Sequence, residues 1–274
     1  MPPAFSAAIV TFHSNPALLR RAVASLAVAV LAARHARVLG PAQLVVVDNG
    51  PGDDRGGIER ALVAWPDEAG PVEIVAGQGN VGYGRANNLA LARVRSDLHL
   101  VMNPDVELAQ DALVAAAQSL AAHPDVALLA PAVSGDDGQV QYLCKRYPSV
   151  WVLFLRGFAP RALRERFAPR LAHYEMRDAI GAEFTPGVPL ASGCFMLVRT
   201  AAMRVAGGFD PRYFMYFEDY DLSLRIASQG TVAYEPAVRI VHHGGEAARK
   251  GWRHVGWFVR SAWRFFSRHG WKLS

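Results

Sequence analysis

Short apolar runs alternate with longer helical patterns over the first 130 or so residues. Ala8-Ile9-Val10-Thr11 reads as a strand, and a long Ala/Leu/Val-rich helix begins near Asn15-Pro16. Residues 43–48 form a continuous apolar run, as a strand buried on both faces requires. Residues 72–76 and 98–102 repeat that pattern, each followed by turn residues and a helical stretch, and residues 126–131 close the series. Such alternation predicts a parallel sheet covered by helices on both faces. After Pro131 the rhythm changes. Gly135-Asp136-Asp137-Gly138 suggests a hairpin turn, and residues 147–189 read as irregular chain rich in Pro, Arg and aromatics. A strand is expected over 190–199, a helix over 218–228 ended by Gly230, and short strands over 231–234 and 238–241. With no internal repeat and no low-complexity linker, one mixed α/β domain is expected.

Composition narrows the class. A chain of 274 residues with 51% hydrophobic side chains can bury a substantial core, which argues against disorder and fibrous structure. Cys144 and Cys194 are far apart and lack a partner motif, so reduced thiols and a cytoplasmic setting are expected. The first residues carry no secretory pattern. The longest uncharged apolar segment, 22–33, is shorter than the roughly 20 residues a bilayer span needs, so a buried helix is expected there. Net charge is +5, and no acidic residue follows Arg249, where Arg and Lys alternate with Trp and Phe. On charge alone, nucleic acid, a membrane surface and phosphate-bearing substrates all fit.

In an open parallel sheet, ligands bind beyond the carboxyl ends of the strands. The polar residues directly after the apolar runs are therefore the first candidates: Thr11, Asp48-Asn49, Asn80 and Asn103-Pro104-Asp105. Gly77-Gln78-Gly79-Asn80-Val81-Gly82 fits a dinucleotide fingerprint, but follows the third strand instead of the first. A NAD(P)-dependent oxidoreductase built on that loop is the alternative reading. The segment 214–222, Phe-Met-Tyr-Phe-Glu-Asp-Tyr-Asp-Leu, places three carboxylates beside aromatics. On a helix Glu218 and Asp221 share a face while Asp219 points elsewhere, and aromatic crowding would raise a carboxylate's basicity, as a general base requires. His242, directly after the last strand, is a candidate metal ligand.

Taken together, these segments resemble the inverting, GT-A-fold glycosyltransferases of family 2, in particular the bacterial rhamnosyltransferase-like branch. The resemblance spans residues 7–245. It rests on Ile9-Val10-Thr11-Phe12, Val46-Val47-Asp48-Asn49, Gly79-Asn80-Val81-Gly82-Tyr83-Gly84-Arg85-Ala86-Asn87-Asn88, Asn103-Pro104-Asp105, Gly207-Gly208-Phe209-Asp210 and Tyr216-Phe217-Glu218-Asp219-Tyr220-Asp221. It implies a GT-A (Rossmann-like) mixed sheet, mostly parallel, flanked by helices, with a nucleotide-donor half (1–131), an acceptor and catalytic half (132–248) and a basic aromatic C-terminal helix (249–274). It further implies that Thr11, Asp48, Asn80, Gly82, Asn87 and Asn103 line the donor nucleotide site. Asp105 would bind Mg2+ or Mn2+ on the donor diphosphate together with His242. Asp219 would be the catalytic base, and Glu218 would orient the acceptor. Asn103 replaces the first acidic residue of the family's D-x-D motif, and Glu246-Ala247-Ala248 stand where the family usually has a Ser.

The expected activity is sugar transfer, with dTDP-rhamnose the leading donor and UDP-sugars the next, onto a hydroxyl of a lipid-linked or cell-surface glycan such as a polyprenyl-diphosphate acceptor. A non-catalytic glycan-binding module is a further alternative, and no nucleic-acid partner is expected. If the tail is helical, Arg253, Arg260, Arg264 and Arg268 share one face. Val255, Phe258, Val259, Ala262, Phe265 and Phe266 form the other. That profile suits peripheral contact with the inner face of the cell membrane, or packing against the domain or a second subunit in a homodimer.

Overall fold

The computed structural model describes residues 1–51, 55–244 and 252–274. The expected departure at Glu246-Ala247-Ala248, and the boundary between 248 and 249, lie outside the described residues. The chain runs β1 (Phe5–Thr11), α1 (Pro16–His35), β2 (Ala42–Asp48), α2 (Arg55–Leu62), β3 (Val72–Val75), α3 (Tyr83–Leu91), β4 (Leu98–Met102), β5 (Val106–Leu108), α4 (Ala112–Ala122) and β6 (Val126–Ser134). It continues through α5 (Val150–Gly157), α6 (Arg161–Arg166), α7 (Ala168–Tyr174), β7 (Thr185–Pro186), β8 (Phe195–Arg199), α8 (Thr200–Val205), α9 (Glu218–Ile226), β9 (Thr231–His242) and α10 (Trp252–His269).

All nine strands share one sheet, ordered β3-β2-β1-β4-β8-β6-β9-β5, with β7 also paired to β9. Strands β3, β2, β1 and β4 are parallel, and β8 enters antiparallel between β4 and β6. Every residue of β1 and β4 is buried, whereas the edge strand β3 is only partly covered. One core cluster packs α1 and α4 on one face of the sheet, and a second packs α3, α8 and α9 on the other. Asn15 caps α1 by accepting from the Ala17 and Leu18 amides. α1 is long and apolar enough to cross a membrane by length and composition. In this fold, however, Leu19, Val23, Leu26 and Val30 are buried in the core.

Several expectations are corrected. The strand over 190–199 begins only at Phe195, because residues 191–194 turn away to place a backbone amide at the site described below. The two short strands at the end are one 12-residue strand, β9, whose pairing with β6 shifts register at Pro131/Ala132. The segment expected to be irregular holds three short helices, α5 to α7. The C-terminal helix is present, but its arginines do not form one solvent face. The Arg264 side chain donates to the Arg212 carbonyl, and Arg268 reaches the Asp210 carboxylate at 2.7 Å and that of Asp221 at 3.2 Å. Its aromatic face packs inward. Phe265 and Phe266 are buried with Leu153, Tyr213 and Phe217 in a third, aromatic cluster.

Candidate active site

The residues expected to hold the donor are assembled at the ends of neighbouring parallel strands. Register pairs Thr11 with Asp48 directly, so both side chains leave the sheet at one crevice. The Asp48 Oδ1 accepts from the Gly50 amide at 3.0 Å, and its buried Oδ2 has no partner. A buried carboxylate oxygen left free is costly unless a ligand donor completes it. Across the crevice, Asn49 and Asn80 lock together. The Asn49 amide donates to Asn80 Oδ1 at 3.1 Å, and Asn49 Oδ1 accepts from the Val81 amide at 3.1 Å. Asn80 Oδ1 also accepts from the Gly82 amide, and the Gln78 side chain donates to the Asp48 carbonyl at 2.6 Å. Gly82 has φ +87°, and a Cβ there would lie 2.4 Å from the Phe214 carbonyl oxygen. The loop thus closes tightly onto the segment leading to α9. Of the glycines in the supposed dinucleotide fingerprint, Gly82 serves that closure, while Gly77 and Gly79 face open space with φ +92° and +62°, after the edge strand of the sheet.

Asn87 lies one turn into α3, fully buried, donating to the Tyr83 carbonyl at 3.1 Å. Its neighbour Asn88 clamps a distant segment, exchanging hydrogen bonds of 2.7 and 2.8 Å with the backbone of Phe209.

The carboxylate pair sits at the N-terminus of α9, after a strained turn. Tyr216 and Phe217 adopt φ +71° and +65°, a conformation costing roughly 1–2 kcal/mol per residue for non-glycine side chains. The aromatic cluster holds it there. The Phe217 ring packs 5.3 Å from both Phe258 and Phe265, and the Tyr216 hydroxyl hydrogen-bonds His254 at 2.9 Å. The half-buried Asp219 is fixed by two backbone donors, the Gly193 amide on Oδ2 and the Tyr220 amide on Oδ1, each at 2.9 Å. Burial nevertheless raises its pKa above the ordinary carboxylate value. Glu218 is buried with Oε2 unpartnered; burial first, then the Asp219 charge, holds its carboxyl well above the usual range. Asp221, which the sequence placed on Glu218's face, is buried and structural, receiving Arg225 and His269, each at 2.8 Å.

Asp105 and His242 meet because β5 pairs antiparallel with the end of β9, Val106 opposite His242. The Asp105 Oδ1 is otherwise unpartnered and lies 3.5 Å from His242 Nε2. Gln141 orients that ring. Its amide nitrogen donates to the His242 carbonyl at 3.2 Å, which leaves Oε1 to accept from Nδ1 at 3.1 Å. With Nδ1 protonated, the Nε2 lone pair points at Asp105, the tautomer a metal ligand needs. A Cβ at Gly244 would lie 2.5 Å from Asp105 Oδ2 and 2.8 Å from His242 Nε2, so glycine keeps the space between them open. Among the described residues no group of three or more His, Cys, Asp or Glu could cage a metal alone. One carboxylate and one imidazole do fit a magnesium- or manganese-type ion that takes its remaining ligands from substrate phosphates and water. His243, next in sequence, is engaged elsewhere, bridging Glu107 at 2.6 Å and Asp136.

The 193–194 peptide ties Asp219 to the segment that carries Asp105. Gly193 donates to Asp219 and its carbonyl accepts from the Tyr83 hydroxyl at 2.7 Å, while the Cys194 carbonyl accepts from the Asn103 amide at 2.9 Å. Burial pushes the Cys194 thiol up to about 12, and the Asp105 and Asp219 charges add to the rise. Tyr83, Gln141, Gly193 and Gly244 were not among the residues the sequence singled out for a site role.

The model of the Glycosyl transferase family 2 family matches residues 6–204, most of the chain. The chain belongs to this family. As a family 2 glycosyltransferase it is 29% identical over 249 residues to the N-acetylglucosaminyl-diphospho-decaprenol L-rhamnosyltransferase of Mycobacterium tuberculosis, covering 84% of this chain and 77% of the relative. It is 27% identical to the rhamnosyltransferase WbbL of Escherichia coli, over 69% of this chain and 72% of the relative. The mannosyltransferase PcManGT of Pyrobaculum calidifontis, solved with GDP-Man and Mn2+, shares the fold. It superposes with a TM-score of 0.62 at 17% identity over 98% of this chain, which spans 64% of that one. Family membership displaces the oxidoreductase and non-catalytic alternatives.

Proposed function

We propose that this glycosyltransferase moves a rhamnosyl unit from dTDP-rhamnose onto a hydroxyl of a diphosphate-linked, lipid-borne glycan, with inversion. The observation that carries the reading is the Gly193-Cys194 peptide, whose Gly193 amide holds Asp219 and whose Cys194 carbonyl accepts from Asn103, two residues before Asp105. It is supported by the two rhamnosyltransferase relatives. Thr11, Asp48, Asn80, Gly82, Asn87 and Asn103 belong to the donor side of a 1–131 half, and residues 132–248 supply the acceptor side.

In the proposed reaction Asp219 removes the proton from the acceptor hydroxyl, whose oxygen bonds to the anomeric carbon as the bond to the donor diphosphate breaks. A carboxylate with a raised pKa is a stronger base for that proton. Glu218, protonated near neutral pH by its burial, is a hydrogen-bond donor for the acceptor. Asp105 and His242 would hold the divalent cation, which when bound neutralises charge on the departing diphosphate.

The reading includes a protein held at the cytoplasmic face of the membrane. The inward aromatic face of α10 is not free for that role, but Trp263, Trp271 and Leu273 are exposed beside Arg260 and Lys272. Transfer of labelled rhamnose from dTDP-rhamnose to a diphosphate-linked N-acetylglucosaminyl lipid, dependent on Mg2+ or Mn2+, tests the reading. Asp219→Asn should lower the rate by roughly 10²–10⁴-fold while calorimetric binding of the donor is retained. A fully active Asp219→Asn protein refutes the base, and transfer from UDP-sugars alone refutes the donor.

A further inference from the structure

A cavity of about 340 Å³ lies between α7, the segment before α5 and the C-terminal residues, and none of the roles above uses it. Arg146, Arg170, His173 and Lys272 line it together with Tyr147 and Tyr174, and no carboxylate side chain does. Arg146 is already held by Asp178, with contacts of 2.6 and 3.0 Å. Arg170 and Lys272 are different. Both are exposed, and among the described residues neither has a carboxylate partner.

The position of the cavity gives those cations a meaning. One wall is Tyr174, whose hydroxyl shares a 2.9 Å hydrogen bond with that of Tyr220, the residue directly after Asp219. The cavity is therefore one tyrosine pair away from the acceptor side of the site. Lys272 also lines it, on a segment stitched to α5 by hydrogen bonds from the Val150 and Trp151 amides to the Lys272 and Leu273 carbonyls, 2.8 and 3.1 Å. That segment carries the exposed Trp271 and Leu273, and α5 adds the exposed Phe154. From Asp219 outward the order is a base, a pair of tyrosines, unpaired cations, and exposed apolar side chains. A molecule with a sugar, then a diphosphate, then a hydrocarbon has the same order. Guanidinium and ammonium donors are the groups that hold phosphate oxygens with charge-assisted hydrogen bonds.

We infer that this cavity binds the diphosphate of the lipid-linked acceptor, through Arg170 and Lys272. The inference rests on the acceptor class proposed above, and its test separates the two.

Farnesyl diphosphate, the probe, is titrated calorimetrically into the full chain with EDTA present, so that no divalent ion can carry it to Asp105. The comparison is the Arg170→Ser/Lys272→Ser double variant, whose exposed substitutions leave the core untouched. The inferred site requires binding to the native protein that weakens about tenfold or more in the variant, as loss of charge-assisted contacts implies. Inorganic pyrophosphate separates the sources of the anion. It should bind more weakly than the farnesyl ester, because it lacks the hydrocarbon. Equal binding of farnesyl diphosphate to native and variant proteins, or none to either, overturns the inference. In transfer assays the variant should raise KM for the diphosphate-linked acceptor, while KM for the donor and turnover of the same sugar on a neutral octyl aglycone stay at native values. A native enzyme that transfers to neither acceptor would count against the proposed function, while the calorimetry still decides the cavity.

Discussion

On the proposed donor side, Thr11 and Asp48 are register partners on adjacent strands, and Asn49 and Asn80 are bonded between two strand-end loops. On the proposed acceptor side, Asp219 is held by Gly193, and the turn beneath it is gripped by rings of α10 at Phe258 and Phe265. The first arrangement follows from the sheet, because any chain that forms these parallel strands brings those residues together. The second depends on packing between segments with no strand in common. Donor recognition should therefore survive damage that abolishes acceptor chemistry.

Phe265→Ala offers the severest break in that comparison. Phe265 is fully buried, and such a truncation costs about 3–5 kcal/mol. Thermal denaturation should show a large loss of stability, and transfer should fall further than donor binding measured on the folded fraction. Equal losses would mean that the two sides are not separable. Gly244→Ala is narrower. The added methyl fills the space between Asp105 and His242, so Mn2+ affinity followed by electron paramagnetic resonance should fall roughly 10–100-fold, the range seen when a ligand's support is disturbed, with little change in melting temperature.

Acid exposes the acceptor side next. As the proposed base Asp219 would have to be deprotonated, and its pKa is raised. The acid limb of kcat/KM should therefore lie above the ordinary carboxylate value of about 4, with rate falling about tenfold per pH unit below it. A limb at or below that value would mean Asp219 is more solvated than its burial implies. The smallest effect is expected at Asn80→Ala, which removes one member of the Asn49–Asn80 lock. Losing such hydrogen bonds costs about 1 kcal/mol, so donor KM should rise about fivefold with turnover unchanged.

Legibility in the sequence follows the same division. β1, β2 and β4 are largely apolar, and a polar residue stands at the end of β1 and β2 (Thr11, Asp48) and directly after β4 (Asn103), so strand and donor candidates could be placed together. The Asp219 cluster was visible as a run of carboxylates among aromatics. Its supports were not, because the Tyr83 hydroxyl finds Gly193 across 110 residues and Gln141 finds His242 across 101. No periodicity encodes such pairings. The helices α5 to α7 were missed for a related reason. They run only 8, 6 and 7 residues, too short to impose a repeat, and Arg- and Pro-rich composition obscures what is left. The apolar face of α10 was legible in its spacing, but the ion pairs of Arg268 with Asp210 and Asp221 were not, because a helical wheel shows no partner from another segment.

The paired left-handed residues before α9 act as a loaded spring whose catch is the C-terminal helix. Released from Phe258 and Phe265, Tyr216 and Phe217 would relax downhill and swing Glu218 and Asp219 off target while the sheet stayed folded.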